Sequence, residues 1–205
     1  MFHAPENRWN RKVHLLRTLR GAWLSDKKYE VVYADPPWSY RTWNKKEAGR
    51  TAESHYPTMS LSEICTLPVA DIIHTDAVLF LWATFPNLPQ ALEVIKAWGF
   101  EYKTVAFCWV KRNKVTPSWF VGLGHWTRAN AEVCLLATKG KPQRISKGVR
   151  QIVDTPIERH SKKPDEVRNR IVELMGDVPR IELFAREQIA GWDVFGNEVD
   201  STIIL

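Results

Sequence analysis

Short apolar runs alternate with amphipathic stretches along most of this chain of 205 residues. Apolar runs bounded by turn residues are typical of buried strands. They predict strands at residues 29–34, 77–83, 102–110, 131–138, 180–185 and 192–195. Apolar side chains at helical spacing predict helices over residues 60–72, with an interruption near Pro68, over residues 87–98 and from residue 164 onward. Strands that alternate with helices favour an α/β sandwich with a mostly parallel sheet.

The segments between these elements are polar or basic and are expected to be loops: residues 39–58, 111–130 and 139–150. The first 28 residues mix basic and aromatic side chains over a weak helical pattern. The length suits one domain with a substantial core. We therefore expect a single domain over residues 1–205, with an N-terminal extension over 1–28 and a catalytic core over 29–199.

The composition, with 44% hydrophobic and 25% charged residues, is that of a globular protein. The apolar runs are too short to span a bilayer, and the first residues lack a signal-peptide pattern. We therefore expect a cytoplasmic protein without membrane contact. The three cysteines are scattered among apolar neighbours and the six histidines lack zinc-ligand spacing, so neither a disulfide framework nor a metal site is expected.

Charge is distributed unevenly along the chain. The net charge of +6 combines −5 over residues 164–205 with +11 over residues 1–163. Such a basic region is typical of a protein with a polyanionic partner, and nucleic acid is the natural one, although a solvated basic surface would have the same charge. We expect the basic loops to contact phosphates, at residues 41–50, 111–114 and 139–150.

The tetrapeptide Asp35-Pro36-Pro37-Trp38 follows the first predicted strand directly. Ligand sites in open α/β sheets lie just beyond the carboxyl ends of strands. The Asp35 carboxylate and the Pro36 carbonyl could accept the two hydrogens of a nucleobase amine, and Trp38 could stack on the base. The prolines would fix these acceptors in place. An ordinary turn is the alternative, and the preceding strand favours the site.

These groups suit methylation of the 6-amino group of adenine, whose lone pair is delocalised into the ring and has to be localised on nitrogen. The donor would be a sulfonium methyl group approached in line. Neither a GxGxxG loop nor a phosphate-binding P-loop is present, which argues against a nicotinamide enzyme or a nucleoside triphosphatase.

The order of short motifs along the chain resembles that of the MT-A70 family of adenine methyltransferases. This family includes the catalytic subunit of the eukaryotic mRNA adenosine methyltransferase and many bacterial and phage DNA enzymes. The resemblance extends from about residue 29 to residue 199 and rests on segments 34–38, 56–60, 79–82, 109–111, 124–126, 132–135, 139–140, 161–166, 181–186 and 196–197.

The resemblance implies a Rossmann-like methyltransferase fold, a three-layer sandwich in which the tetrapeptide precedes the cofactor-binding segments. It implies S-adenosylmethionine as cofactor, bound by Asp35, Lys163, Arg186, Asn197 and Glu198. It assigns catalysis to Asp35, Pro36, Pro37 and Trp38, and the target-adenine pocket to Tyr56, Glu132 and Lys163. Glu198 stands where the family's mRNA enzyme has glutamine.

Trp43 and Trp119, in polar loops, are the aromatic residues best suited to contact nucleic acid, and Lys111 opens one of the basic loops. Structural roles remain open for other residues. Lys163 could flank a helix start, Arg186 could form a surface ion pair, and Glu132 could be an edge charge.

The sequence therefore predicts an adenine methyltransferase acting on DNA, taking its target base from a single strand or flipping it out of a duplex. The compact length favours DNA over RNA, which is the first alternative. A non-catalytic nucleic-acid-binding subunit is the second, although the intact tetrapeptide argues against it. A homodimer or a heterodimer is compatible with the sequence.

Overall fold

The protein is described by a computed structural model that covers residues 27–39, 58–124, 126–159, 161–203 and 205. These residues form seven strands: β1 (Tyr29–Ala34), β2 (Ile73–Ala83), β3 (Glu101–Arg112), β4 (Ala131–Lys139), β5 (Ile152–Pro156), β6 (Arg180–Leu183) and β7 (Asp193–Phe195). They also form three α-helices: α1 (Leu61–Cys65), α2 (Leu88–Ala97) and α3 (Asp165–Met175). Two short 3₁₀ turns cover Val69–Asp71 and Phe85–Asn87.

The seven strands form one mixed sheet in the order β5-β3-β4-β2-β1-β6-β7. Strand β4 is antiparallel to both neighbours, β2 and β3, whereas the other neighbouring pairs are parallel. Because of this reversal, β4 begins at the edge of the sheet where the other strands end. Residues just inside the start of β4 therefore lie beside residues that follow β1, β2, β6 and β7.

The two central strands, β1 and β2, are buried on both faces of the sheet. Along β1, Val31 and Tyr33 belong to one hydrophobic cluster, and Val32 and Ala34 belong to the other. Such strands read as continuous apolar runs, because neither face is exposed to water. This burial explains why the sequence predicts β1 and the buried part of β2, from residue 77 to residue 83.

The helices divide between the two faces and complete a three-layer sandwich. Helices α1 and α2 pack on one face through Ile64, Val94 and Ile95. Helix α3 packs on the opposite face through Val167 and Ile171. The α/β class with a mostly parallel sheet is confirmed.

Local signals mark the ends of two helices. Ser60 and Glu63 form a capping box at the start of α1, in which each side chain accepts a hydrogen bond from the other residue's backbone N–H. Gly99 follows the end of α2 with φ of 81°, a conformation that favours glycine.

Several predicted boundaries differ from the structure: β2 begins at Ile73 and not at residue 77, and β6 ends at Leu183 and not at residue 185. The helix expected over 60–72 is interrupted near Pro68, as predicted, but its first part ends at Cys65 and its second part is a 3₁₀ turn. Pro164 is the N-cap of α3 and lies one residue before the first helical position. Strand β5 was not predicted, because it is an edge strand whose only fully buried side chain is Val153.

Within the described residues, helix lengths and hydropathies fall short of what crossing a membrane requires. The three cysteines, of which Cys134 is buried, are free thiols.

A buried ion pair joins α3 to the sheet. Arg168 donates hydrogen bonds from Nε and Nη2 to the two carboxylate oxygens of Glu182 on β6, at 2.7 and 2.9 Å. Both residues are less than 9% exposed. Such a pair fixes the position of α3, whose first residues lie next to the functional site described below.

We predict that Arg168→Met destabilises the fold, because Glu182 would be left in the interior without its partner. Removing one member of a buried pair costs about 3–5 kcal/mol of the free energy of unfolding, measurable by urea denaturation. The control is Lys103→Met, which removes an exposed pair with Glu101 and should cost no more than about 1 kcal/mol. Equal losses in the two variants would contradict this account.

Candidate active site

An open cleft lies at the sheet edge where β1, β2, β6 and β7 end. Its walls are formed by residues that follow these strands, by the start of β4 and by the segment that precedes α3. Nine of the predicted site residues line it: Asp35, Pro36, Pro37, Trp38, Glu132, Lys163, Arg186, Asn197 and Glu198.

The tetrapeptide leaves β1 at the centre of the sheet and is held by backbone hydrogen bonds. Ala34 is paired with Leu81 of β2 and Leu183 of β6, which places Asp35 between two strands. The Trp38 N–H donates to the Pro36 carbonyl at 2.8 Å, and the Met59 N–H donates to the Pro37 carbonyl at 2.9 Å. These bonds and the two proline rings hold the segment in one conformation.

The Trp38 ring lies mostly in the core. The residue is 6% exposed, and its indole N–H donates to the backbone carbonyl of Trp82 at 3.2 Å. The ring lines the cleft but presents only a small part of its surface to it. Trp38 therefore offers a ligand less stacking area than the sequence suggests.

Four charged side chains alternate in sign, three of them lining the cleft and the fourth, Lys111, behind it. The Lys163 ammonium contacts the Asp35 carboxylate at 2.8 Å and the Glu132 carboxylate at 3.2 Å. The other oxygen of Glu132 accepts a hydrogen bond from Lys111, near the end of β3. Within the described part of the chain, one Asp35 oxygen is bound to Lys163 and the other has no hydrogen-bond donor.

The alternation of charges determines which of these side chains are ionised. Burial raises the pKa of Asp35 above its ordinary value, and the Lys163 charge opposes that shift. Burial also disfavours the charged form of Lys163, but Asp35 and Glu132 hold the pKa of this ammonium above its ordinary value. At Glu132, Lys163 and Lys111 overcome burial and lower the pKa. The arrangement therefore keeps Lys163 and Glu132 charged, with Asp35 the carboxyl that protonates more readily.

Trp82 contacts both the tetrapeptide and Lys163. Its ring centroid lies 5.5 Å from the Lys163 ammonium, within range of a cation–π contact. Its indole N–H donates to the Tyr33 hydroxyl at 2.7 Å, and its carbonyl accepts the Trp38 bond described above. Trp82 thus contributes to the site although it is fully buried in the core.

The loops after β6 and β7 form the opposite wall. The Ala185 N–H donates to the Phe195 carbonyl at 3.0 Å, and a Cβ on Gly196 would lie 1.9 Å from the Ala185 carbonyl oxygen. Only glycine allows this approach. Arg186 and Glu198, one from each loop, form an ion pair at 2.9 Å.

Several residues depart from the sequence predictions. Lys111 contacts Glu132 but does not line the cleft, and Tyr56 and Trp43 lie outside the described residues. Four further residues line the cleft that the sequence did not predict as site residues: Ala83, Thr84, Ser161 and Phe184. The end of β2 was a usable signal for Ala83 and Thr84, because the rule that placed Asp35 at a strand end applies equally to them.

The basic segment 139–150 lies away from the cleft, and its expected contact with phosphates stays a prediction. It begins where β4 ends, at the opposite edge of the sheet. The Lys141 N–H donates to Asp76, near the start of β2, at 2.7 Å, and the Ile145 N–H donates to the Leu174 carbonyl at 2.8 Å. The sequence could not show this, because the reversal of β4 follows from strand pairing.

The sequence profile of the MT-A70 family matches residues 29–198, which include every described residue that lines the cleft. The chain belongs to the MT-A70 family. Members of this family are adenine methyltransferases that depend on S-adenosylmethionine. The tetrapeptide comes first along the chain and the predicted cofactor-binding residues follow it, and the fold brings them together at one edge of the sheet.

Individual relatives differ in how much of their own length they share with this chain. The type II methyltransferase M.MunI of Mycoplasma sp is 36% identical over 193 residues, which cover 86% of this chain and 80% of the relative. The human N(6)-adenosine-methyltransferase catalytic subunit METTL3 is 31% identical over 182 residues, covering 87% of this chain and 29% of the relative. The chain thus spans less than a third of METTL3.

The residues of the cleft fit the cofactor of the MT-A70 family. S-adenosylmethionine presents hydroxyls, an ammonium and a sulfonium, which require hydrogen-bond acceptors and negative charge. It also presents a carboxylate and an adenine. The cleft contains carboxylates at Asp35 and Glu198, a guanidinium at Arg186 and an amide at Asn197. The glycine at 196 keeps the two loops in contact beside these groups.

We predict that Lys163→Met raises the pKa of Asp35 further, because the charge that opposes the effect of burial is removed. A carboxyl-carbon NMR titration of Asp35 in the two proteins measures the shift. Lys163→Arg keeps the charge and should give a pKa close to that of the unmodified protein. An unchanged Asp35 pKa in the methionine variant, with the fold retained, would show that Lys163 does not control this carboxyl.

Proposed function

We propose that this protein transfers a methyl group from S-adenosylmethionine to the 6-amino group of adenine in DNA. The observation that supports this most directly is the arrangement of acceptors at Asp35 and Pro36. One carboxylate oxygen of Asp35 is bound to Lys163 and the other has no donor in the described part of the chain. The two proline rings hold both acceptors at the cleft without an ordering cost during the reaction.

The two acceptors localise the lone pair of the amine. The Asp35 carboxylate accepts one N–H, and the Pro36 carbonyl accepts the other through the lone pair that Trp38 leaves available. The cofactor supplies an electrophilic methyl carbon on a positively charged sulfur. With both hydrogens held, the nitrogen lone pair points away from the acceptors.

Asp35 also suits the removal of the proton that the amine nitrogen must lose. Its pKa is raised above the ordinary carboxyl value, and a stronger base accepts a proton more readily. Lys163 remains close enough to keep the carboxylate ionised when the amine binds, because the two groups are 2.8 Å apart. Glu132 then holds Lys163 in position from the other side.

DNA is favoured by the relative that aligns along most of its own length, a type II methyltransferase, which belongs to a class that modifies DNA. RNA is the second candidate, because several relatives are named as N(6)-adenosine methyltransferases. These relatives are much longer than the shared region, so their substrates transfer less directly to this chain. A cytoplasmic location fits either substrate and remains a proposal from the sequence.

Methylation assays with matched DNA and RNA oligonucleotides, each in single-stranded and duplex form, test the substrate. Labelled S-adenosylmethionine should give N6-methyladenine in DNA, identified by mass spectrometry of the digested product. Label in RNA alone would contradict the choice of DNA. Label on cytosine or on no substrate, despite cofactor binding by calorimetry, would contradict the proposed reaction.

We predict that Asp35→Asn lowers the methyl-transfer rate by about 10²-fold or more, because the amide neither accepts as strongly nor takes up a proton. Single-turnover rates measure the loss, and circular dichroism checks the fold. Asp76→Asn is the matched control, since Asp76 lies near the opposite edge of the sheet and contacts Lys141. Equal rates for Asp35→Asn and the unmodified protein would exclude Asp35 from the reaction.

A further inference from the structure

The connection from β3 to β4, residues 113–130, exposes an unusual number of large apolar side chains. We call it the β3–β4 hairpin. Trp126 is 95% exposed, Leu123 is 70% exposed and Val121 is 66% exposed, whereas Trp119 is about half exposed. Large contiguous patches of exposed apolar side chains are rare on protein surfaces, and they often mark interaction sites.

The exposure does not reflect a lack of backbone structure. The Phe120 N–H donates to the Lys111 carbonyl and the Gly122 N–H donates to the Ala129 carbonyl, each at 2.9 Å. At the tip, a Cβ on Gly124 would lie 1.7 Å from the Thr127 carbonyl oxygen, so the turn is tight. The hairpin therefore holds its apolar side chains in the solvent by backbone pairing.

The two stems of the hairpin begin at the active-site edge of the sheet. One stem continues from Lys111, and the other leads into Glu132 one residue inside β4. The ion pair between these residues is part of the charge chain that includes Asp35 and Lys163. The hairpin consequently projects from the rim of the cleft in which the target base would react.

The charge of the hairpin limits the partner. Residues 113–130 contain no Asp or Glu, and the described ones include two exposed cations, Lys114 and Arg128. At the base of the hairpin the Arg112 guanidinium lies 4.5 Å from the centroid of the Trp119 ring. Exposed aromatic rings among cations, without carboxylates, match single-stranded or locally opened nucleic acid, in which bases stack and phosphates pair with cations.

We infer that the β3–β4 hairpin binds the nucleic acid beside the target adenine, with Trp126 stacked on a neighbouring base and Lys114 and Arg128 against the phosphates. This inference rests on the proposed function, since it requires a nucleic-acid substrate. The hairpin supplies the stacking surface that Trp38, buried beneath the cleft, largely lacks.

The test compares Trp126→Ala with Ile145→Ala in the full chain. Ile145 is also an exposed apolar residue, 72% exposed, and lies in the basic segment at the opposite edge of the sheet. Fluorescence anisotropy with a labelled adenine-containing oligonucleotide should show binding about 10-fold weaker, or more, for Trp126→Ala and unchanged for Ile145→Ala. The KM for the oligonucleotide should rise, and the affinity for S-adenosylmethionine should stay the same. Trp126→Phe should restore much of the binding.

A charge test is independent of stacking. The double variant Lys114→Glu/Arg128→Glu should weaken binding and reduce its salt dependence, whereas Lys141→Glu/Lys147→Glu at the opposite edge should have a smaller effect. Normal oligonucleotide affinity and KM in Trp126→Ala would overturn this inference and leave the proposed function intact. A change of oligomeric state by light scattering, with affinity unchanged, would identify the hairpin as a protein interface and also overturn it. Failure of the unmodified protein to bind or methylate any oligonucleotide would refute the proposed function itself.

Discussion

The ion pair between Lys163 and Asp35 is the contact on which the site depends. It joins residues 128 positions apart, one at the end of the central strand and one just before α3. Burial alone would favour a neutral Asp35, and the neighbouring ammonium opposes this at 2.8 Å. Lys163 is itself kept charged by a second carboxylate, Glu132, so that a buried positive charge lies between two acceptors. These three charged side chains lie side by side along one wall of the cleft.

The fold brings these charges together through a single reversal of strand direction. In a fully parallel sheet, Glu132 would lie at the far edge, because it is at the start of its strand. Since β4 is antiparallel, its first residues meet the ends of β2 and β3, and Glu132 lies between Lys111 and Lys163. The same reversal sends the basic segment 139–150 to the opposite edge. The buried pair of Arg168 and Glu182 then fixes α3, and with it the position of Lys163.

The sequence predicts much of this arrangement but not its contacts. The buried runs of β1 and β2 and the tetrapeptide after β1 are local patterns, and they give the α/β class and the sheet edge where ligands bind. The motif order of the MT-A70 family adds Lys163, Arg186 and Asn197, all of which line the cleft. Strand β5 is too exposed to give an apolar signal, and the burial of Trp38 depends on Trp82, 44 residues away. These features follow from long-range pairing, which no local pattern records.

The most direct test of the central claim is a crystal structure of the protein with S-adenosylhomocysteine and an adenine-containing oligonucleotide. The account predicts that the adenine amino nitrogen lies within about 3.2 Å of a carboxylate oxygen of Asp35 and of the Pro36 carbonyl. The other Asp35 oxygen should remain on Lys163. An adenine held in the cleft with its amino group in contact with neither acceptor would contradict the account.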